Sequence, residues 1–341
     1  MAKNICISGY YGFDNFGDEM ILEILVENIK KHIDNANITV FSSNPQKTSK
    51  NLKVNSVKTF NIIEVLKQLK NTDCLISGGG SLLQDATSKK SLIYYLFVLY
   101  FAKLFKKKII IFAQGIGPIN DKLLAKLTAH IIRKATYITV RDEKSQNLLN
   151  KWGVNSVICK DPVFNVDIPQ KNSVSNKTGI QLRCHSAVTD AFLHKLSELI
   201  IQNYKDREIV ILSLQNAYDL NICNKLKQNI LDLYPDANVK VIENSSNRQI
   251  IEEIVSLNEL IAMRYHACLI GIKAGIKVLP VSYDIKVEQL AKEFNLKYID
   301  INNTDNMPDI INEFAKQETS NSDVDSVLNN KFDFEKMLKS I

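Results

Sequence analysis

The chain has 341 residues, 45% of them apolar and 23% charged, which is too many for one ordinary core and suits two α/β domains of a soluble globular protein. The net charge of +6 is modest, and the basic residues are spread along the chain apart from Lys106-Lys107-Lys108, which argues against a nucleic-acid binder with its gathered basic patch. Six cysteines without a C-x-x-C pair read as reduced core thiols, and Met1-Ala2-Lys3-Asn4 leads straight into a strand with no signal peptide, so a cytoplasmic protein is expected.

In chain order, Asn4 to Ser8 reads as an apolar strand, Met20 to His32 as a helix and Ile38 to Ser42 as a second strand. Ile62 to Lys70 is a helix, and Cys74 to Ser77 is a strand ending in three glycines. Leu92 to Ala102 is an unbroken run of eleven apolar residues, too short to span a bilayer. It is expected as a helix from Ser91 to Phe105 buried between parallel strands, its lysine-rich end favoured by the helix dipole. The alternative is a helix that touches anionic lipid at the inner face of the plasma membrane. Lys108 to Gln114, Tyr137 to Val140 and Val157 to Cys159 read as strands, with helices over Asp121 to Lys134 and Lys144 to Trp152. Such alternation predicts a parallel sheet with helices on both faces.

The polar run from Pro162 to Lys177 reads as a linker. Five further strands follow (Thr178–Leu182, Glu208–Leu214, Val239–Ile242, Glu259–Ala262, Lys277–Ser282), alternating with helices over Ala187–Tyr204, Leu220–Leu233, Asn247–Val255, His266–Ala274 and Val287–Phe294. The predicted domains are residues 1–165 and 176–325. A terminal helix over 326–341, centred on Phe332 to Ile341, is expected to pack back on the first domain. Two Rossmann-like α/β domains in series, facing a cleft, suggest the GT-B architecture. In open α/β sheets ligands sit beyond the carboxyl ends of the strands, and every motif below falls at such an end.

Gly9 to Glu19 follows the first strand and opens the first helix. Its glycines allow close backbone approach, but it is not G-x-G-x-x-G, so no dinucleotide site is expected. Asp14, Asp18 and Glu19 make the loop acidic, suited to sugar hydroxyls rather than phosphate; read purely structurally, it is a tight turn with Asp18 capping the helix. The run Gly78-Gly79-Gly80-Ser81-Leu82-Leu83-Gln84-Asp85 brings backbone N–H groups to a ligand, with Gln84 and Asp85 available for hydroxyls, or simply makes a sharp turn. Gln114 to Pro118 is a similar turn. Arg141-Asp142 ends a strand, where arginine can grip a carboxylate or form a surface ion pair. Arg264 and His266 flank a strand-to-helix turn and Lys286 lies just past the next strand. Guanidinium, imidazole and ammonium around one hollow fit a small, highly charged anion, with His266 able to donate a proton. Metal binding fits poorly, since no His/Cys/carboxylate cluster has ligand spacing.

With these motifs in order, and with Asp161-Pro162, Gln181-Leu182-Arg183 and Ser282 to Val287, residues 4 to 290 resemble the polysaccharide pyruvyltransferase family, nearest its cell-wall, S-layer-anchoring type. The resemblance implies a GT-B-like fold, no cofactor and phosphoenolpyruvate as co-substrate. It implies transfer of pyruvate as a ketal onto a sugar of a cell-wall or exopolysaccharide precursor, in the cell-wall type a lipid-linked N-acetylmannosamine. By motif, Arg141, Arg264, His266 and Lys286 would form the donor site, Arg183 would bind substrate, and Asp14, Asn15 and the loop with Gly79, Gly80, Ser81, Gln84 and Asp85 would face the acceptor. The expected roles are Arg141 or Arg264 on the carboxylate, Lys286 on the phosphate, His266 as general acid and Asp14 as base. The chain departs from the cell-wall type at Cys184-His185, where an aromatic residue is usual. Two other readings are a nucleotide-sugar glycosyltransferase, using Glu243 or Asp284 on the ribose, and a non-catalytic sugar-binding module.

Overall fold

A computed structural model describes residues 2–169, 176–317 and 331–341. The chain divides into two compact units, Met1–Val166 with Lys331–Ile341, and Asp167–Asn330. The expected α/β class holds in both: each is a parallel sheet wrapped by helices.

The first unit contains β1 (Lys3–Ser8), β2 (Ala36–Ser42), β3 (Asn55–Lys58), β4 (Cys74–Ser77), β5 (Lys108–Gln114), β6 (Tyr137–Val140) and β7 (Val157–Ile158). They pair in parallel in the order β3-β2-β1-β4-β5-β6-β7. Its helices are α1 (Phe16–His32), α2 (Pro45–Leu52), α3 (Ile62–Asn71), α4 (Lys89–Leu104), α5 (Lys122–Ile132) and α6 (Glu143–Lys151). The central strands are β-branched and closed off from water: Ile5, Ile7, Ile76, Ile110 and Ile111 are at most 1% exposed. Each such side chain contributes about 1.5–3 kcal/mol relative to exposure. Helix α1 begins at Phe16, four residues before the expected start, because Asn15 rather than Asp18 is its N-cap and accepts from the Gly17 amide at 3.2 Å. Helix α2 and strand β3 were not legible: of α2 only Thr48 is buried, and β3 is a four-residue edge strand. Helix α4 buries Leu92, Tyr95, Leu96, Val98, Leu99 and Ala102, as a helix against a parallel sheet should. Ile93, Tyr100 and Leu104 on its other side are exposed.

Residues 331–341 complete this unit. The rings of Phe332 and Phe334 lie 5.0 and 5.7 Å from that of Phe112 on β5. Asn165 and Phe332 exchange two hydrogen bonds, and Lys3 and Lys108 both donate to the Ile341 carbonyl. The helix in this segment is short, α13 (Phe334–Leu338).

The second unit contains β8 (Lys177–Gln181), β9 (Glu208–Leu212), β10 (Val239–Ile242), β11 (Glu259–Ala262), β12 (Lys277–Ser282) and β13 (Ile299–Asp300), parallel in the order β10-β9-β8-β11-β12-β13. Its helices are α7 (Asp190–Tyr204), α8 (Asn216–Leu233), α9 (Asn247–Ser256), α10 (Tyr265–Lys273), α11 (Ile285–Glu293) and α12 (Met307–Lys316). The expected linker opens with a 3-10 turn at Pro162–Asn165, and its residues 170–175 lie outside the described residues, as do residues 318–330 of the polar tail. Among the described residues no helix is long and apolar enough to cross a membrane.

Four cysteines (6, 74, 223, 268) are buried, as core thiols should be, and burial pushes the Cys6 thiol up to about 11 and Cys74 and Cys223 to about 12. Cys184 is exposed.

Candidate active site

In each sheet the connections leave the first strand on one side and return on the other, so the loops after β1 and β4, and those after β8 and β11, part to leave a crevice. The loops with Gly9 to Glu19 and Gly78 to Asp85 lie at the first of these places and Arg183, Arg264 and His266 at the second, while Arg141 and Lys286 end strands farther along each sheet.

In the first unit the glycines make room for a buried tyrosine. Tyr11 is 1% exposed, and a Cβ on Gly9 or Gly78 would stand 2.4 Å or 1.8 Å from its ring and hydroxyl. A Cβ on Gly79 would meet Ile21 at 2.8 Å, and Gly80, at φ +93, would set one 2.9 Å from an Asp18 carboxylate oxygen. The loop after β4 is therefore pressed against the loop after β1 and the start of α1. Gln84 accepts from the Thr87 amide at 3.0 Å and is occupied locally. Asp85 ties this loop to the next: it accepts from the amides of Asn120 and Asp121, both at 2.8 Å, and from the Asn120 side chain at 3.1 Å. Those bonds hold its carboxyl below the usual range.

Arg141 ends β6, two strands from β4. Its guanidinium donates to Ser81 Oγ at 3.1 Å and to Asp161 at 3.3 Å. The Arg141 and Asp161 side chains are only 11% and 1% exposed, so this is a buried pair, and the partner is Asp161 rather than the adjacent Asp142. Gly115 sits between them: a Cβ there would lie 2.9 Å from Ser81 Oγ and 3.3 Å from Arg141 Nε.

Asp14 and Glu19 differ sharply. Asp14 has φ 55 and pairs with Lys47 at 2.7 Å, each side chain half exposed. Glu19, one turn into α1, is largely enclosed and accepts from the Gly12 amide at 2.7 Å. Burial pushes its carboxyl up to about 7, against the pull of the Gly12 amide and with Asp18 and Asp14 pushing further; Lys47 pulls it down. A carboxyl that titrates near neutrality can take a proton at working pH. Its sequence signal, a Glu at the fourth position of a helix, is indistinguishable from ordinary dipole chemistry.

In the second unit Arg264 is the N-cap of α10. Its amide donates to Gln181 Oε1 at 2.7 Å, from the end of β8. Its Nε and Nη2 grip Asp219 at 2.8 and 3.0 Å, and Nη2 also donates to Gln215 Oε1 at 3.1 Å. Asp219 is fully buried and Arg264 12% exposed. Burial raises the Asp219 carboxyl, and the Arg264 cation opposes that rise. Nη1 makes none of these bonds. Arg264 is thus locked in a planar fork with one edge committed. Gln215 and Asp219 start α8 some 45 residues upstream, and only the strand order β9-β8-β11 brings them here.

Arg183, just past β8, stacks its guanidinium 4.5 Å from the centre of the Tyr283 ring, just past β12. The Arg183 Nε is buried and has no hydrogen-bond partner among the described residues. The His185 ring is tilted against that of Tyr283 at 5.6 Å. His266 lies in the first turn of α10 with its ring edge-on to Tyr265 at 5.1 Å. Lys286 lies in the first turn of α11, where Asp284 caps the helix by accepting from the Lys286 and Val287 amides at 3.0 and 3.1 Å. Since β11 and β12 are neighbours, Arg264, His266 and Lys286 all sit at adjacent helix starts, and the start of α10, which has no side-chain cap, also favours an anion. Among the described residues no group of three His, Cys, Asp or Glu side chains could hold a metal ion.

Residues 15–285 match a family model described as polysaccharide pyruvyl transferase. No curated protein sequence matches significantly. Among solved structures, HepE of Anabaena in complex with UDP-glucose is similar in fold, with a TM-score of 0.67 at 12% identity over 98% of this chain and 97% of that one. The UDP-GlcNAc 2-epimerase of Methanocaldococcus jannaschii gives 0.64 at 12% over 94% of each chain. That of Neisseria meningitidis bound to UDP-GlcNAc gives 0.59 at 11% over 97% and 99%. At such identities the likeness is one of fold, the GT-B type expected from two Rossmann-like halves.

Proposed function

Because the chain belongs to the polysaccharide pyruvyl transferase family, we propose that it moves pyruvate from phosphoenolpyruvate, as a ketal, onto a sugar of a cell-wall or exopolysaccharide precursor, with lipid-linked N-acetylmannosamine as the acceptor. The family match over residues 15–285 carries the reading. The helix starts of the second unit supply what the donor needs. Phosphoenolpyruvate bears a carboxylate and a phosphate of about −1.5 to −2, and binding it takes several fixed cations. Arg264, held by Asp219 and Gln215, offers Nη1 to the carboxylate. Lys286 receives the phosphate, and His266 gives its proton to C3 of the enol.

The steps balance without an oxidant. Protonation of C3 makes C2 electrophilic, and a first sugar hydroxyl adds there while its proton passes to a base. The C2–O bond to phosphate then breaks, and a second hydroxyl adds to C2. The ketal gains a methyl group and a second C–O bond; of the two hydroxyl protons one ends on C3 and the other on the departing phosphate. Glu19, with its carboxyl near 7, suits the base better than Asp14, which is committed to Lys47 at the surface. Asn15, Arg141, Arg183 and the loop carrying Gly79 to Asp85 are proposed to bind substrate, Asp85 by holding its loop.

The test is phosphate release from phosphoenolpyruvate across lipid-linked and aryl glycosides, alongside thermal stabilisation by phosphoenolpyruvate and by UDP-sugars. Acceptor-dependent release and stabilisation by phosphoenolpyruvate support the reading. Stabilisation by UDP-sugars alone would move it to a nucleotide-sugar glycosyltransferase, the rival that the UDP complexes of the fold relatives keep in view.

A further inference from the structure

Thirteen large hydrophobic side chains are exposed among the described residues, and eight of them fall between positions 60 and 127. Seven belong to three helices of the first unit and Phe60 just precedes the first of them, with α3 packed on α4 and α4 on α5. Along α4, Ile93, Tyr100 and Leu104 face outward at steps of seven and four, with the half-buried Phe97 between them, a single stripe. Ile93, Tyr100 and Leu104 are 52%, 45% and 55% exposed. On one flank Leu123 and Leu127 of α5 are 77% and 42% exposed; on the other, Phe60 and Ile63 at the start of α3 are 65% and 82% exposed. The Phe60 ring meets that of Tyr94 on α4 at 5.5 Å, joining this flank to the stripe. Scattered exposed apolar residues need no explanation, but a contiguous patch does.

The charge around the patch is equally uneven. Residues 58–134 hold thirteen lysines and arginines against four acidic residues, a net of +9, whereas the whole chain nets +6, so the rest nets −3. Lys90, Lys106, Lys122 and Lys126 take part in no ion pair among the described residues; Lys89 pairs with Asp121. An apolar stripe rimmed by unpaired lysines is the composition of an interfacial surface. A second copy of this face would bring like charges together across a two-fold axis, and a spanning role is excluded because α4 has only 16 residues.

We propose that the outer face of α3, α4 and α5 docks on an anionic bilayer surface, with the apolar stripe in the headgroup region and the lysines on lipid phosphates. This rests on the face itself and not on the proposed pyruvyl transfer. Since helices in a parallel α/β unit start at the carboxyl edge of the sheet, Phe60, Ile63, Ile93 and Leu123 lie at the same edge as the loops after β1 and β4. Docking there sets those loops beside the membrane.

The test is co-sedimentation of the full chain with large unilamellar vesicles of phosphatidylcholine, with and without about 30% phosphatidylglycerol. Binding is expected only to the anionic vesicles and is expected to weaken as salt rises from about 0.1 to 0.5 M, as screening shortens. The double variant Ile63→Glu, Leu123→Glu should lower the partition coefficient at least about tenfold, and Lys122→Glu, Lys126→Glu should lower it comparably. Both pairs are surface positions, so near-ultraviolet circular dichroism should stay as in the parent; Leu104→Glu stands in should either misfold. Equal sedimentation with both lipids, or unchanged binding by both double variants, overturns the proposal. So does a dimer in gel filtration that Ile63→Glu dissolves. Because no substrate is present, the outcome is separate from that of the phosphate-release assay.

Discussion

Replacing Glu19 with Gln should make the first unit more stable at high pH and the enzyme slower. The Glu19 carboxyl stands near 7 against an ordinary 4.5, so the folded state holds a proton there that the unfolded chain gives up. The stability associated with that proton is fully present below pH 4.5 and is lost as pH rises to about 7. A shift of that size is worth about 3 kcal/mol. Gln cannot ionise, yet it keeps an oxygen to accept from the Gly12 amide, so Glu19→Gln removes the pH-dependent penalty and little else. The variant should match the parent at pH 4.5 and exceed it by up to about 3 kcal/mol at pH 8. Other carboxylates move parent and variant alike, so the difference between the two curves is the quantity to follow. Trp152 is the only tryptophan and packs against the core of the first unit, so urea unfolding followed by its fluorescence reports the relevant unit. In the same variant, turnover at pH 8 should fall about 10²–10⁴-fold, while the parent rate climbs through pH 7 to a plateau. A stability difference that is the same at pH 5 and pH 8 would refute the buried-carboxyl argument, and full turnover would remove Glu19 as the base.

Two further expectations concern the second unit. His266→Ala should lower turnover about 10²–10⁴-fold with an unchanged unfolding midpoint, and near-parent turnover would take His266 out of the chemistry. Asp219→Ala leaves the Arg264 fork without its carboxylate; because Arg264 keeps a little access to water, a loss near the low end of the range for broken buried pairs, about 3 kcal/mol, is expected in urea unfolding together with a raised KM for phosphoenolpyruvate. A loss under about 0.5 kcal/mol would class the pair with exposed ones.

The α/β class was legible because central strands such as β4 and β5 are short apolar runs that end in glycine, and both have the expected bounds, Cys74–Ser77 and Lys108–Gln114. What escaped were elements without apolar periodicity. Helix α2 carries two lysines and buries one residue, so nothing in its pattern distinguishes it from a loop. The start of α1 was hidden for another reason: Asn15 and Asp18 both suit a cap, and only the backbone decides between them. Site residues divide in the same way. Arg264, His266 and Lys286 stand out as cationic or proton-carrying residues at strand ends. Asp219 and Gln215 do not, since their role exists only once β9 and β11 flank β8. Glu19 was read as one of three acids in a loop, and depth alone separates it from Asp14.

The strand β5 and the segment 331–341 meet over a long stretch of polypeptide. Phe112, shut off from water beneath Phe332 and Phe334, waits about 220 residues of translation for its cover. During that interval a nascent chain holds an aromatic seam of its first half open while the whole of the second half is being made. Synthesis and docking of residues 331–341, rather than emergence of residue 166, is then the event that seals the first half, and any defect that stalls the second half leaves the earlier one sticky and open to chaperones and proteases.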